Sequence, residues 1–182
     1  METKLLSDHA EDLLEAAELL RNGAVVGMPT ETVYGLAADA RNPEAGRQIF
    51  AAKGRPADNP LIVHIAEMRA LEQVAATVPP LAEKLAERFW PGPLTMILPK
   101  RKEIPEITSG GLDTVGIRMP SHPVARALIQ LSGVPIAAPS ANISGYPSPT
   151  TAQHVMRDMQ GKIAAVVDGG ACSVGVESTV IA

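Results

Sequence analysis

Punctuation constrains this chain more than any other feature. Largely apolar runs of four to six residues recur at 24–28, 61–65, 94–98, 114–119, 135–138, 164–167 and 176–181, each cut short by proline, glycine or polar residues. Runs of that length fit strands rather than helices, and none nears the ~20 residues needed to span a bilayer. Between them the spacing turns helical. Leu13, Leu14, Ala17 and Leu20 follow an N-cap signal at Asp8 and Glu11, and Asn22-Gly23 stops that helix. Asn42-Pro43 opens a second helix carrying Ile49 and Phe50, which ends at Lys53-Gly54. Two short helices are predicted around Pro79-Pro80, the second presenting Leu81, Leu85 and Phe89, and another over 123–131 presents Val124, Leu128 and Leu131. A last helix follows the loop 140–150 and runs to about 160, while the charge, Pro and Gly of 99–113 predict a surface loop. Strands interleaved with helices in 182 residues predict one domain, an α/β or α+β sheet with helical cover.

Composition narrows the function classes. With 16 Lys and Arg against 20 Asp and Glu, the net charge is −4, which gives no support to a general nucleic-acid binder. The aromatics are Trp90, Tyr34, Tyr146, Phe50 and Phe89, so the core must be aliphatic and stacking along single-stranded RNA has little to work with. The single cysteine, Cys172, allows no intrachain disulfide and no cysteine metal cluster, and suits a reducing compartment. No basic segment followed by a long apolar run opens the sequence, so no secretory signal is expected. Phosphate-cradling and dinucleotide-binding glycine motifs are absent, as is a Gly-x-Ser-x-Gly elbow, and His9, His64, His122 and His154 lack metal-ligand spacing.

Five segments carry more polar chemistry than connecting loops need. Hydroxyls, a carboxylate and a phenol converge in Pro29-Thr30-Glu31-Thr32-Val33-Tyr34-Gly35. Lys53 and Arg55, two apart at a helix end, can face one anion, or can simply be cations favoured by the helix dipole. Ser140, Asn142 and Ser144-Gly145 offer short donors after a strand, or act as turn formers. Arg118 sits in an apolar strand and must have a partner, either a ligand anion or Glu31, Glu177 or Asp168. The fifth segment is Gly175-Val176-Glu177-Ser178-Thr179. His64, on an apolar strand, reads as a core histidine, and Cys172 reads as a turn residue without a catalytic role.

Taken together these segments resemble the YrdC-like threonylcarbamoyl-AMP synthases. The matching pieces are Pro-Thr-Glu-Thr-Val-Tyr-Gly-Leu at 29–36, Lys-Gly-Arg-Pro at 53–56, Asn-Pro-Leu at 59–61, Phe-Trp-Pro-Gly-Pro-Leu-Thr at 89–95, Arg-Met-Pro at 118–120, Pro-Ser-Ala-Asn-Ile-Ser-Gly at 139–145 and Gly-Val-Glu-Ser-Thr-Val at 175–180. They occur in the family's order and span nearly the whole chain. The resemblance implies a twisted, mainly parallel mixed α/β sheet with flanking helices and a basic concave cavity. It implies a reaction in which L-threonine, bicarbonate or CO2, and ATP give threonylcarbamoyl-AMP, pyrophosphate and water, for the modification of tRNA by partner proteins in the cytoplasm. Magnesium would be held through the phosphates, with no protein metal site and no membrane.

The resemblance also implies roles. Lys53 and Arg55 would be the catalytic pair that neutralises the phosphates. Arg55, Asn59, Thr114, Ser140, Asn142 and Ser148 would bind ATP. Thr32, His64, Arg118, Ala138 and Ser178 would form the threonine pocket, with Arg118 on the carboxylate and Tyr34 packed beside the substrate. Family members continue past this sequence to an Arg-Pro-Gly segment, so the resemblance implies that 1–182 is the single catalytic domain of a longer, two-domain protein, truncated at its C-terminal end. Three alternatives accompany it: an RNA-binding module of the same fold contacting tRNA or double-stranded RNA, a carbamoyl-transfer domain of hydrogenase maturation, and a non-catalytic paralogue.

Overall fold

A computed structural model describes every residue except 55, 57, 58, 176 and 177, so Arg55 and Glu177 lie outside the described residues. In chain order the elements are β1 (Lys4–Leu6), α1 (Ala10–Arg21), β2 (Val26–Met28), β3 (Gly35–Asp39), α2 (Pro43–Lys53) and β4 (Ile62–His64). A 3-10 turn (Met68–Ala70), α3 (Leu71–Val74), α4 (Pro80–Phe89), β5 (Leu94–Pro99), α5 (Glu106–Ser109) and β6 (Thr114–Arg118) follow. The chain then runs through α6 (Pro123–Ser132), β7 (Ile136–Ala137), α7 (Ala152–Met159), β8 (Ala165–Val167) and β9 (Thr179–Ile181). Among the described residues the strands form one sheet in the order β1-β8-β2-β3-β7-β4-β6-β5-β9. The pairs β1–β8, β2–β8, β4–β6 and β5–β9 are parallel, while β2–β3, β3–β7, β4–β7 and β5–β6 are antiparallel. The sheet is therefore evenly mixed rather than mainly parallel.

Period-two alternation sorts the side chains to two faces. Val26, Met28, Ala37, Ile136, Ala165 and Val167 face a core completed by α1 and α6. Leu36, Ala38, Val63, Met96, Ile117, Ala137 and Val166 face a larger core with α2, α3, α4 and α7. Gly27 points to that second side, where a Cβ would stand 3.2 Å from Val155 and Val166, so the absent side chain lets α7 come close.

Local chemistry sets the helix ends. The Asn42 side chain accepts from the N–H groups of Glu44 at 3.0 Å and Ala45 at 3.3 Å, Pro43 opens α2, and Gly54 closes it at φ 69°. The cap expected at Asp8 does not form. His9 occupies that position without a side-chain bond, and Asp12 instead reaches back to accept from the N–H and hydroxyl of Ser7, each at 2.7 Å. Two further expectations change. The stretch 99–113 is not simply a surface loop, because Ile104, Thr108 and Ser109 are buried and Thr108 donates to the Ala40 carbonyl at 2.8 Å. On α4 it is Ala82 and Ala86 that face the core, whereas Leu81 and Phe89 are exposed, since the small residues allow the closer approach.

Candidate functional site

Strand register places the site. His64 and Arg118 are directly opposed partners on the parallel pair β4–β6, so both project to the same face. Ile136 opposes His64 from β7, and Ala138, two residues on, returns to that face. Thr95 opposes Arg118 from β5. The loop 29–34 between β2 and β3 bends over these positions and is tied by its own hydroxyls. Thr30 Oγ1 donates to the Val33 carbonyl at 2.7 Å and lies 2.9 Å from Thr32 Oγ1. The segment after β8 laces across it, with Val174 N–H on the Glu31 carbonyl at 2.8 Å and Gly175 N–H on the Thr32 carbonyl at 3.0 Å.

Together these elements enclose a cavity of about 220 Å³. Its lining includes Thr32, His64, Arg118, Ala138 and Ser178, the whole set expected for a threonine pocket, with Thr30, Val33, Gly35, Ile62, Pro139 and Ser140. The volume falls below the roughly 300–1,000 Å³ of pockets for drug-sized ligands and suits something the size of an amino acid.

The charges in it are paired from behind. Arg118 is buried, and its Nη2 donates to Glu31 in an ion pair whose two side chains are almost fully enclosed. Arg118 Nη1 donates to Thr32 Oγ1 at 2.9 Å and Nε to the Gly92 carbonyl at 3.3 Å. Of the carboxylates open to Arg118, Glu31 is the one placed on it among the described residues, and Glu177 lies outside them. Burial lowers the arginine's affinity for its proton and Glu31 opposes the loss. His64 is buried, and burial plus the neighbouring Arg118 charge push its pKa down to about 3. Its Nδ1 lies 3.1 Å from the Ile62 carbonyl, which can only accept, so Nδ1 carries the proton of a neutral ring. Ser178 Oγ sits 2.7 Å from Thr95 Oγ1.

The residues expected to bind ATP are gathered less tightly. Ser140 lines the cavity, and its hydroxyl donates to the Asn142 amide oxygen. Asn142 Nδ2 donates to the carbonyls of Ile143 at 3.0 Å and Tyr146 at 2.8 Å, so it shapes the loop. Lys53 is buried, with Nζ 2.6 Å from the Ser140 carbonyl, 3.0 Å from the Asn142 carbonyl and 3.4 Å from Asn142 Oδ1. Lys53 and the Ser-x-Asn pair are thus parts of one clamp, which spacing along the chain could not reveal. Thr114 lines a neighbouring, mostly apolar cavity of about 230 Å³ that shares Ile62 with the first. Asn59 is exposed and Ser148 half-buried. Tyr34 does not line the cavity. It is fully buried, donating to the Gly170 carbonyl at 2.8 Å and accepting from Gly169 N–H at 3.1 Å, and burial pushes its pKa up to about 12. Glu31 is one of three carboxylates that the sequence offers as partners for Arg118, with nothing in the spacing to single it out.

Residues 18–182 match the Sua5/YciO/YrdC family profile, described as Telomere recombination. The chain belongs to that family. It is 60% identical over 166 residues to a threonylcarbamoyl-AMP synthase of Pyrococcus abyssi, covering 91% of this chain and 49% of the relative. A Bacillus subtilis protein of the same name is 56% identical over 181 residues, 98% of this chain and 52% of the relative. The crystal structure of P. abyssi Sua5 complexed with L-threonine superposes with a TM-score of 0.95 at 54% identity, covering all of this chain and 54% of that one. The chain thus spans about half the length of these relatives. Its fold is that of the matched half of the solved P. abyssi protein.

Proposed function

We propose that the chain carries an L-threonylcarbamoyladenylate synthase activity serving the threonylcarbamoyladenosine modification of tRNA. One observation carries the reading: Thr32, His64, Arg118, Ala138 and Ser178, drawn from five separate stretches of sequence, line one cavity of amino-acid size. A relative 54% identical and of the same fold was solved with L-threonine.

The chemistry asks for placement and charge neutralisation more than for a protein nucleophile. The threonine amine takes up CO2 and loses a proton to give a carbamate. A carbamate oxygen then attacks the α-phosphorus of ATP, the bond to the β-phosphate oxygen breaks, and pyrophosphate leaves. Arg118 receives the threonine carboxylate, while Thr32, Ser178 and neutral His64 complete the polar surround. Ala138 bounds the pocket. Ser140 contacts the nucleotide at the cavity's edge, and Lys53 holds the Ser140–Asn142 loop. Arg55 is assigned to the phosphates, with Asn59, Thr114 and Ser148 further along the nucleotide. Magnesium enters with ATP, held by phosphate oxygens and water; among the described residues no group of three or more His, Cys, Asp or Glu side chains is placed to hold a metal ion. The adenylate would pass to tRNA-modifying partner proteins in the cytoplasm. Among the described residues no helix is long and apolar enough to cross a membrane. The net acidity, and the pairing of the cavity's arginine with Glu31, weigh against an RNA-binding module.

The test is pyrophosphate release from ATP, magnesium and bicarbonate on addition of L-threonine, with L-serine as control. Threonine-dependent release is the expected outcome. A chain that binds neither threonine nor ATP would overturn the reading.

A further inference from the structure

We infer that Glu31 is a positioning residue for the carboxylate-binding end of the cavity, acting through Arg118; the inference rests on the reading that Arg118 receives the threonine carboxylate. A guanidinium on a strand among apolar neighbours has many rotamers and a large desolvation penalty, and a ligand alone cannot hold it ready. Glu31 addresses both. One carboxylate oxygen takes Arg118 Nη2. The other accepts from the Ser121 N–H at 3.0 Å and hydroxyl at 2.8 Å. A single carboxylate therefore ties the arginine's side chain to the backbone three residues further on, across Pro120 in the stretch that follows β6. With Thr32 Oγ1 on Nη1 and the Gly92 carbonyl on Nε, the plane of the fork is fixed from three directions before any ligand arrives. The backbone of Glu31 also anchors the overlying segment through Val174 N–H, so the same residue braces the cavity from its floor and its rim.

Glu31 is not itself among the residues that line the cavity, and its side chain meets the lining at Arg118, so its effect passes through the arginine. The measurement is calorimetric titration of L-threonine, and separately of ATP, into the wild-type chain, Glu31→Gln, Arg118→Lys and the double variant, each checked for a cooperative melt. Glu31→Gln keeps the shape and one acceptor but loses the charge and the paired acceptance from Ser121. It is expected to weaken threonine at least about tenfold and leave ATP within about twofold. In the Arg118→Lys background the same change is expected to add less than about threefold, because the fork it orients is gone. If Glu31→Gln does not fold, Glu31→Asp, which keeps the charge but is too short to span Arg118 and Ser121, takes its place with the same expectations. Unchanged threonine affinity in the folded variant, or losses that simply multiply in the double variant, would overturn the inference while leaving the synthase reading standing. A wild-type chain that does not bind threonine would overturn the inference, and one that binds neither threonine nor ATP would remove the synthase reading as well.

Discussion

The wall that carries Thr32, His64 and Arg118 and the loop that carries Ser140 and Asn142 meet at one cavity, yet they are held in opposite ways. In the wall, His64 and Arg118 stand on paired strands, with Thr32 on the loop that bends over them, and they are aligned from behind by Glu31, Gly92 and Ile62. Its geometry exists before a ligand does, which is what rigid elements and buried partners supply. The loop leaves the sheet through an isolated backbone bridge between Ser140 and Gly35 of β3, with Ala141 N–H on the Tyr34 carbonyl at 2.8 Å. It is organised by Lys53, a buried cation held among carbonyl oxygens, and by hydrogen bonds between its own members. Removing a group from the wall should therefore damage one ligand's binding sharply. Removing the lysine should loosen a loop and affect the second substrate.

The largest effect is expected at Arg118. Arg118→Ala leaves the Glu31 carboxylate buried without its counter-charge, which typically costs about 3–5 kcal/mol. Denaturant unfolding should register that loss, and calorimetry should register the loss of threonine binding. An Arg118→Ala chain with unchanged threonine affinity would show that the wall is not the carboxylate end. Next comes Lys53→Met, which preserves bulk but strips the carbonyls of Ser140 and Asn142 of their donor, at about 2–3 kcal/mol. Here threonine affinity should stay within about threefold while threonine-dependent pyrophosphate release falls at least about tenfold. If both substrates were lost together, the two regions would be one cooperative unit rather than two.

How legible was this division beforehand? Helix α2 was readable because Asn42-Pro43 and Lys53-Gly54 act within a few residues of themselves. Strand β3 was not, because Gly35-Leu36-Ala37-Ala38-Asp39 has no β-branched residue and is extended by its neighbours β2 and β7. The apolar stripe Leu81, Leu85 and Phe89 misled for the converse reason: periodicity states which residues share a helix face but not which face the core receives. At the site, every residue of the expected threonine pocket reached the cavity. The choice of Glu31 as partner for Arg118 could not be read, since the pairing spans 87 residues and is settled by topology. Nor could the inward turn of Lys53, since a lysine at a helix end looks the same whether it faces solvent, phosphate or a carbonyl cluster.

The wall also predicts an acid sensitivity that the loop does not. The ordinary imidazole pKa is 6.5 and His64 in the fold sits at about 3, so between these values the unfolded chain takes up a proton that the folded chain refuses. Stability from this group is complete above about pH 6.5 and declines as the pH falls toward 3. At pH 5 the decline amounts to about 2 kcal/mol, from ~1.4 kcal/mol per unit. His64→Gln should flatten the acid limb of a stability–pH profile, whereas Lys53→Met should leave its slope unchanged.

The smallest effect is expected where β9 meets the wall. Ser178 Oγ and Thr95 Oγ1 share a partly buried hydrogen bond of 2.7 Å, the described side-chain bond that ties the segment before β9 to β5. Ser178→Ala should cost about 1 kcal/mol in unfolding, the usual net worth of one hydrogen bond, because Thr95 borders the neighbouring cavity rather than solid core. Threonine affinity should fall only a few-fold, since Arg118 and Thr32 stay in place. Thr95→Val gives the sharper reading. It removes the same bond from the other side while leaving the Ser178 hydroxyl free to face a ligand. If Ser178 contacts threonine directly, Ser178→Ala weakens binding more than Thr95→Val at equal cost in stability. If its role is only to pin the segment, the two variants fall together, and the wall ends at Arg118.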